Sequence, residues 1–372
     1  MKKIYLDDMI LTKDLPTTAG SKMLEGYMSP FDATVAEKLV AGGFEIAGKA
    51  PVGEFAIDLV GETAFDGNAT AGAAKALEND TVSGVISFDV NGAPRRVAAQ
   101  NALVFVKPTY GIVSRYGTVP VACSGECVGV TARSAADARE ILSAIVGKDE
   151  RDGTMHADEI CKKAVDGCEK AIKKVAVLQL DADADVTAAI VAAKEKMAAN
   201  GIEICEVDAG VTAAAGTAWN ILACAELCNN VSRYDGIKYG YRSKNYTSLE
   251  ELYTNSRSEA FGDLLKTAIL YGSDVLSTKN YMAKYDKAMR VRRVIVEAFA
   301  KIFADFDAVL LPACSKFAYT GSESAFEENR YTAPASITGL PAVVAGGVQL
   351  IAPAFSDGAL LSLAEILVKE GK

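Results

Sequence analysis

Two adjacent arginines, Arg95 and Arg96, follow the short turn Asp89-Val90-Asn91-Gly92-Ala93. Paired guanidiniums beside a turn can clamp a carboxylate or phosphate, and they can equally tie down a strand edge. Eight cysteines and a single histidine, His156, are the other groups with reactive potential. No two cysteines form a C-x-x-C pair, and Cys224 and Cys228 lie about one helical turn apart, a spacing any buried helix face produces. One histidine leaves too few ligands for a metal centre, so neither a metal nor a cofactor is expected. Cys123 in Cys123-Ser124-Gly125-Glu126-Cys127 is a conceivable nucleophile, but no histidine motif stands near it to activate the thiol. Free, buried thiols are the preferred reading for all eight, Cys168 included, and they suit a reducing, cytoplasmic setting.

The elements that must position these groups alternate between helix and strand patterns, which reads as α/β. Asp32 is placed as the cap of a helix reaching Leu39 or Val40 and stopped by Gly42-Gly43. Strands are expected at Phe44–Ala47, Val82–Asp89, Ala102–Val106, Lys174–Leu180, Ile202–Val207 and Phe306–Leu311. Helices are expected at Ala69–Leu77, from Ser134 to near Gly147, and at Asp185–Asn200. In the second half they are expected at Thr217–Val231, Ser248–Tyr253, Gly262–Leu270, Lys279–Asp305 and Ala359–Lys369. Lys148–Lys170 is polar and reads as a surface excursion, and the whole of 1–372 reads as one domain.

The chain has 372 residues, half of them hydrophobic, with 39 Lys and Arg against 48 Asp and Glu, a net charge of −9. A chain this long buries about 75% of its unfolded surface, so it needs no disulfide to fold. The acidic balance argues against direct nucleic-acid binding, which requires clustered cations. The basic run Arg290-Val291-Arg292-Arg293 reads as a solvated helix face. No apolar h-region opens the chain and no apolar run is expected to span a membrane; Val343–Phe355 is broken by glycine and proline.

Several motifs together resemble the amidase-signature family, in particular the A-subunit of tRNA-dependent amidotransferases. They are Ser21-Lys22-Met23-Leu24-Glu25-Gly26, Glu54-Phe55-Ala56, the run Lys107–Gly117, Tyr234–Arg242, Ser256–Gly262 and Gly339-Leu340-Pro341-Ala342. The resemblance covers nearly the whole chain. It implies a mixed central β-sheet covered by helices on both faces. It also implies amide hydrolysis through a Ser-Ser-Lys relay, with glycine-rich backbone stabilising the oxyanion.

Carried over residue by residue, the relay's lysine falls at Asp7, its bridging serine at Ala69 and its nucleophile at Ala93, where the family reads Asp-Thr-Gly-Gly-Ser. A one-residue slip would place Thr70 at the bridge and restore neither base nor nucleophile. The tyrosine, arginine and aspartate that hold glutamine fall at Trp219, Ala268 and Asn329. Losing the nucleophile of a comparable serine triad costs roughly 10⁶ in turnover. An ionised Asp7 about 4 Å from an oxyanion would oppose it by ~4 kcal/mol. Relative to the family pattern the chain begins just before the lysine segment, is shortened after Ala345, and has a compressed loop before Ala69.

Three readings follow. The first is an amidase-fold pseudoenzyme acting by binding, with amidotransferase subunits or another protein as partner. The second is an enzyme with a site rebuilt from Asp7, Arg95, Arg96 or Cys123, in which Asp7 and Asn329 share one cavity. The third is a working glutamine-dependent amidotransferase A-subunit that supplies ammonia for Gln-tRNA or Asn-tRNA synthesis.

Overall fold

Buried β-branched runs dictate the centre of the molecule. The computed structural model describes residues 1–166 and 171–368, so Cys168 and the ends of the Lys148–Lys170 and Ala359–Lys369 segments lie outside the described residues. Ten strands form one sheet: β1 Lys3–Asp7, β2 Glu45–Ala50, β3 Val82–Asp89, β4 Val104–Lys107, β5 Cys127–Ala132, β6 Lys174–Leu178, β7 Glu203–Val207, β8 Ala308–Pro312, β9 Ala342–Ala345 and β10 Val348–Ile351. Their order is β2-β1-β3-β5-β4-β9-β10-β8-β6-β7. The pairs at either end of the sheet are parallel, and those from β3 through β8 are antiparallel. Strands buried on both faces read as continuous apolar runs, as β8 and β9 do, whereas the edge strand β7 (Glu-Ile-Cys-Glu-Val) exposes both of its glutamates.

The strand period of two sorts the side chains into two cores. Val85, Phe105 and Val344 belong to a cluster under one layer of helices, while their neighbours Ile86, Val104, Val106 and Val343 belong to a larger cluster under the other. The sheet is therefore covered on both faces, as the resemblance implies. The helices are α1 Thr34–Ala41, α2 Gly72–Leu77, α3 Ala93–Gln100, α4 Ala135–Ile145, α5 Asp158–Asp166, α6 Ala184–Ala199, α7 Ala215–Asn230, α8 Leu249–Ala260, α9 Asp263–Leu276, α10 Lys287–Asp305, α11 Ala325–Thr338 and α12 Asp357–Val368.

Local chemistry explains several boundaries. The Ser134 hydroxyl accepts from the Asp137 N–H at 3.1 Å and starts α4; Ser248 does the same for α8 through Glu251. Asp32 does not cap α1. Its carboxylate accepts from the Lys13 N–H at 2.8 Å and leaves the cap position to Ala33. Within the polar excursion, α5 buries Cys161, Ala164 and Val165. A helical stretch at Gly210–Arg233 is long and apolar enough to cross a bilayer by length and composition, contrary to expectation. It contains α7, which lies inside the protein between α9, α10 and α11. At Gly272 of α9 an added Cβ would stand 2.0 Å from the Cys224 carbonyl oxygen, so the two helices touch backbone to backbone.

Candidate active site

β1 ends at Asp7, and its neighbour β3 carries Ser87 and Phe88 to the same rim of the sheet. Ala69 precedes α2, and Ala93 opens α3 behind Gly92, whose φ of +90° suits a residue without a side chain. An added Cβ at Gly92 would meet the Thr332 Cβ at 2.3 Å, a second reason for glycine. Asp7, Ala69 and Ala93 thereby line one cavity of about 40 Å³, with Asp58 and Ser87. A single water needs roughly 10–15 Å³ by the same kind of measure, so the space suits a few waters.

The cavity's charges are muted by burial. Burial, reinforced by the Asp8 carboxylate, pushes Asp7 up to about 8, although the Phe88 N–H (2.8 Å) and Lys49 oppose the shift. Asp7 is therefore a neutral acid at pH 7 rather than the anion expected from its type. Asp58 is pushed up to about 6 by burial and by Glu62. Its carboxylate accepts from the Gly61 and Thr63 N–H groups at 3.2 and 2.9 Å. The Ser87 hydroxyl is bonded to Thr131 at 2.8 Å. The Gly92 N–H, a natural oxyanion donor, is committed to Asp89 at 2.9 Å, and Pro94 supplies no N–H.

Arg95 and Arg96 do not form an anion site, and they do not lie at a strand edge. Both are buried on α3. Arg95 pairs with Asp89 (2.8 Å) and donates to the Thr332 carbonyl, Gln349 and Ser336. Arg96 donates to the carbonyls of Leu59, Asn91 and Asp58 and to the Thr332 hydroxyl. Every nitrogen of both guanidiniums has an internal acceptor, which is what their burial requires.

Behind the cavity, the positions the resemblance assigns to a glutamine pocket are packed shut. Trp219 is fully buried, and its Nε1–H donates to Asn91 Oδ1 at 2.9 Å; Asn91 Nδ2 in turn donates to the Ile57 carbonyl at 3.1 Å. Ala268 lines a void of only about 10 Å³ with Val90, Leu227 and Phe326. Asn329 is fully buried against Asn220 at 2.7 Å and is not among the residues lining the cavity that holds Asp7, so the two do not share a site.

Cys123 offers no reactive thiolate. Burial and the nearby Glu126 carboxylate push it up to about 11. Of the basic run on α10, Arg292 turns inward to the Ser124 hydroxyl and carbonyl, while Arg290 and Arg293 pair along the helix with Asp286 and Glu297. No cluster of three potential metal ligands occurs among the described residues. The Trp219–Asn91 bond was invisible to sequence reasoning because the partners lie 128 positions apart.

Comparison with known proteins places this arrangement. Residues 4–361 match the model of the amidase family. The chain is 35% identical over 391 residues to the A-subunit of glutamyl-tRNA(Gln) amidotransferase from Acinetobacter baumannii, covering 96% of this chain and 80% of that protein. It is 36% identical over 387 residues to the protein of the same name from Latilactobacillus sakei, with 95% and 79% covered. The crystal structure of the glutamyl-tRNA(Gln) amidotransferase A-subunit from Thermotoga maritima matches with a TM-score of 0.77 at 27% identity, over 97% of this chain and 81% of that one. Kluyveromyces lactis allophanate hydrolase matches with a TM-score of 0.78 at 21% identity, over 98% of this chain and 61% of that one, a likeness of fold.

Proposed function

The chain belongs to the amidase family, and from that premise we propose that it is a non-catalytic member that resembles the amidotransferase A-subunit and works by binding. One observation carries the reading. The three positions assigned to base, bridge and nucleophile line one cavity, and they bring to it a buried carboxylic acid and two methyl groups. A carbon-bound methyl cannot attack a carbonyl, and an acid held neutral near pH 7 is a poor substitute for a neutral amine. The hydrogen-bonded Trp219–Asn91 pair supports the same reading, since Trp219, at the position the resemblance gives to a glutamine-binding tyrosine, is fully buried and bonded internally.

The partner follows the family likeness: a further component of an amidotransferase is the first candidate, and a cytoplasmic setting goes with it. The measurement that tests the reading is ammonia release from glutamine by the purified protein. No release above a heat-treated control is expected. Release that disappears in Asp58→Asn would overturn the proposal.

A second reading, glutamine-dependent supply of ammonia within an amidotransferase, is favoured by identity above one third across nearly the whole chain. The two separate on the ammonia assay of the unaltered protein, which only this second reading expects to be positive; reconstruction tests the competence of the fold. Asp7→Lys, Ala69→Ser and Ala93→Ser together are expected to remain inactive while Trp219 occupies the pocket.

A further inference from the structure

A second pocket, which shares no lining residue with the buried cavity, is built for a ligand of definite chemistry. It has a volume of about 240 Å³, below the roughly 300–1,000 Å³ of cofactor sites, and so suits one side-chain-sized group. Leu11, Leu24, Val119 and Pro120 supply its apolar wall, and Tyr27, Tyr234, Tyr239 and Arg233 complete it.

Its three phenol hydroxyls are left without a described protein partner. Tyr234 is 5% exposed as a residue, and its hydroxyl, like those of Tyr27 and Tyr239, has no hydrogen-bond partner among the described residues; no buried side-chain oxygen among them lacks a partner, so these hydroxyls open onto solvent. The rings of Tyr234 and Tyr239 meet edge to face, with centroids 5.9 Å apart. Burial raises the Tyr234 phenol well above its ordinary range, and the neighbouring Tyr239 and Tyr27 phenols push the same way against Arg233. Burial raises Tyr239 as well, so both phenols stay protonated as donors. Arg233 donates Nε–H to the Asn230 carbonyl and Nη2–H to the Asn230 side chain, and it forms no ion pair among the described residues. The one carboxylate felt by Tyr239, that of Asp235, is folded back onto the Ile237 and Lys238 N–H groups.

We propose that this pocket binds a carboxylate carried on a short apolar stem, the stem against Leu11, Leu24, Val119 and Pro120 and the carboxylate among the tyrosine hydroxyls and Arg233. Phenols and a guanidinium all donate, and an anionic acceptor is the complement of such a set. A free branched-chain acid and the carboxy-terminal leucine of a peptide share this chemistry. The assignment is independent of the non-catalytic reading and survives its failure.

The test is calorimetric or NMR titration of the whole protein with 4-methylpentanoate and with N-acetyl-alanyl-leucine, each beside its uncharged primary amide. Saturable binding is expected for at least one acid, with the amide weaker by about tenfold, as for loss of a charge-assisted contact. Arg233→Gln should weaken the acid about tenfold and leave the amide unchanged. Tyr234→Phe should weaken it a fewfold at unaltered melting temperature, because the hydroxyl has no internal partner to lose. A stronger response to the free acid or to the dipeptide identifies the source, and either supports the site. No saturable binding of either acid at tens of millimolar, equal binding of acid and amide, or indifference to Arg233→Gln would overturn it.

Discussion

At the scale of residues, burial sets the chemistry of the central cavity more than residue type does. Asp7 titrates at about 8 in the folded protein against an ordinary value of 3.8. Between those values the folded chain keeps a proton that the unfolded chain has lost, so the contribution of Asp7 to stability is full below about pH 4 and declines as pH rises to about 8. Asp7→Asn copies the neutral acid and cannot titrate. It is expected to flatten that decline and to raise stability at pH 7 by a few kcal/mol, on the order of what a shift of several pH units implies, read as a urea midpoint at pH 5 and at pH 7.5. Arg95→Ala acts the other way. It strands Asp89 without its buried partner and should cost about 3–5 kcal/mol by the same measurement. The family spacing made Asp7, Ala69 and Ala93 legible as one group, and the cavity does bring them together. The protonation state of Asp7 was not legible, because it depends on the neighbours that fold around it.

At the scale of elements, legibility followed locality. Val82–Asp89 matches β3 at both ends because a continuous apolar run between turns has one reading, and Ser134 started α4 because its cap is made within three residues. Helix α3 was missed because Gly92 and Pro94 look like a turn; proline is accommodated in a first helical turn, where no N–H is needed. Helix α11 was missed because Pro334 lies inside it. The close contact of α7 with α9 gives a prediction at this scale. Gly272→Ala gains about 1 kcal/mol in helix propensity, but its methyl would meet the Cys224 carbonyl at 2.0 Å and push the two helices apart. Backbone cannot rotate out of the way as a side chain can, so the clash should win, with a net loss of about 1–3 kcal/mol in a denaturation curve of unchanged slope.

At the scale of the whole molecule, the buried acids act in concert. Burial raises Asp7 to about 8, Glu54 to about 7, and Asp58 and Asp357 to about 6. Each draws stability down as pH rises from about 4 to its own folded value. Asp149 and Glu323, held down at about 2 by hydrogen bonds from neighbouring hydroxyls, backbone N–H groups and basic side chains, lose their contribution only as pH falls below about 4. Above about 8 the trend reverses at Lys49, which burial lowers to about 8. The melting temperature is therefore expected to be highest at about pH 4 and to fall toward about pH 8, and a calorimetric series across pH 4–8 that rose instead would contradict these assignments. The sheet has a further consequence for how the molecule is made. Strands β1 to β5 lie within the first 132 residues, and among the described residues their side of the sheet joins the other only where β4 pairs with β9, Phe105 to Val344 and Lys107 to Ala342. On the ribosome, the stretch from Lys107 to Ala342 takes roughly 10–50 s to emerge at about 5–20 residues per second. Throughout that interval the nascent chain carries an open apolar edge, so this protein should lean on chaperones during synthesis more than its finished stability would suggest.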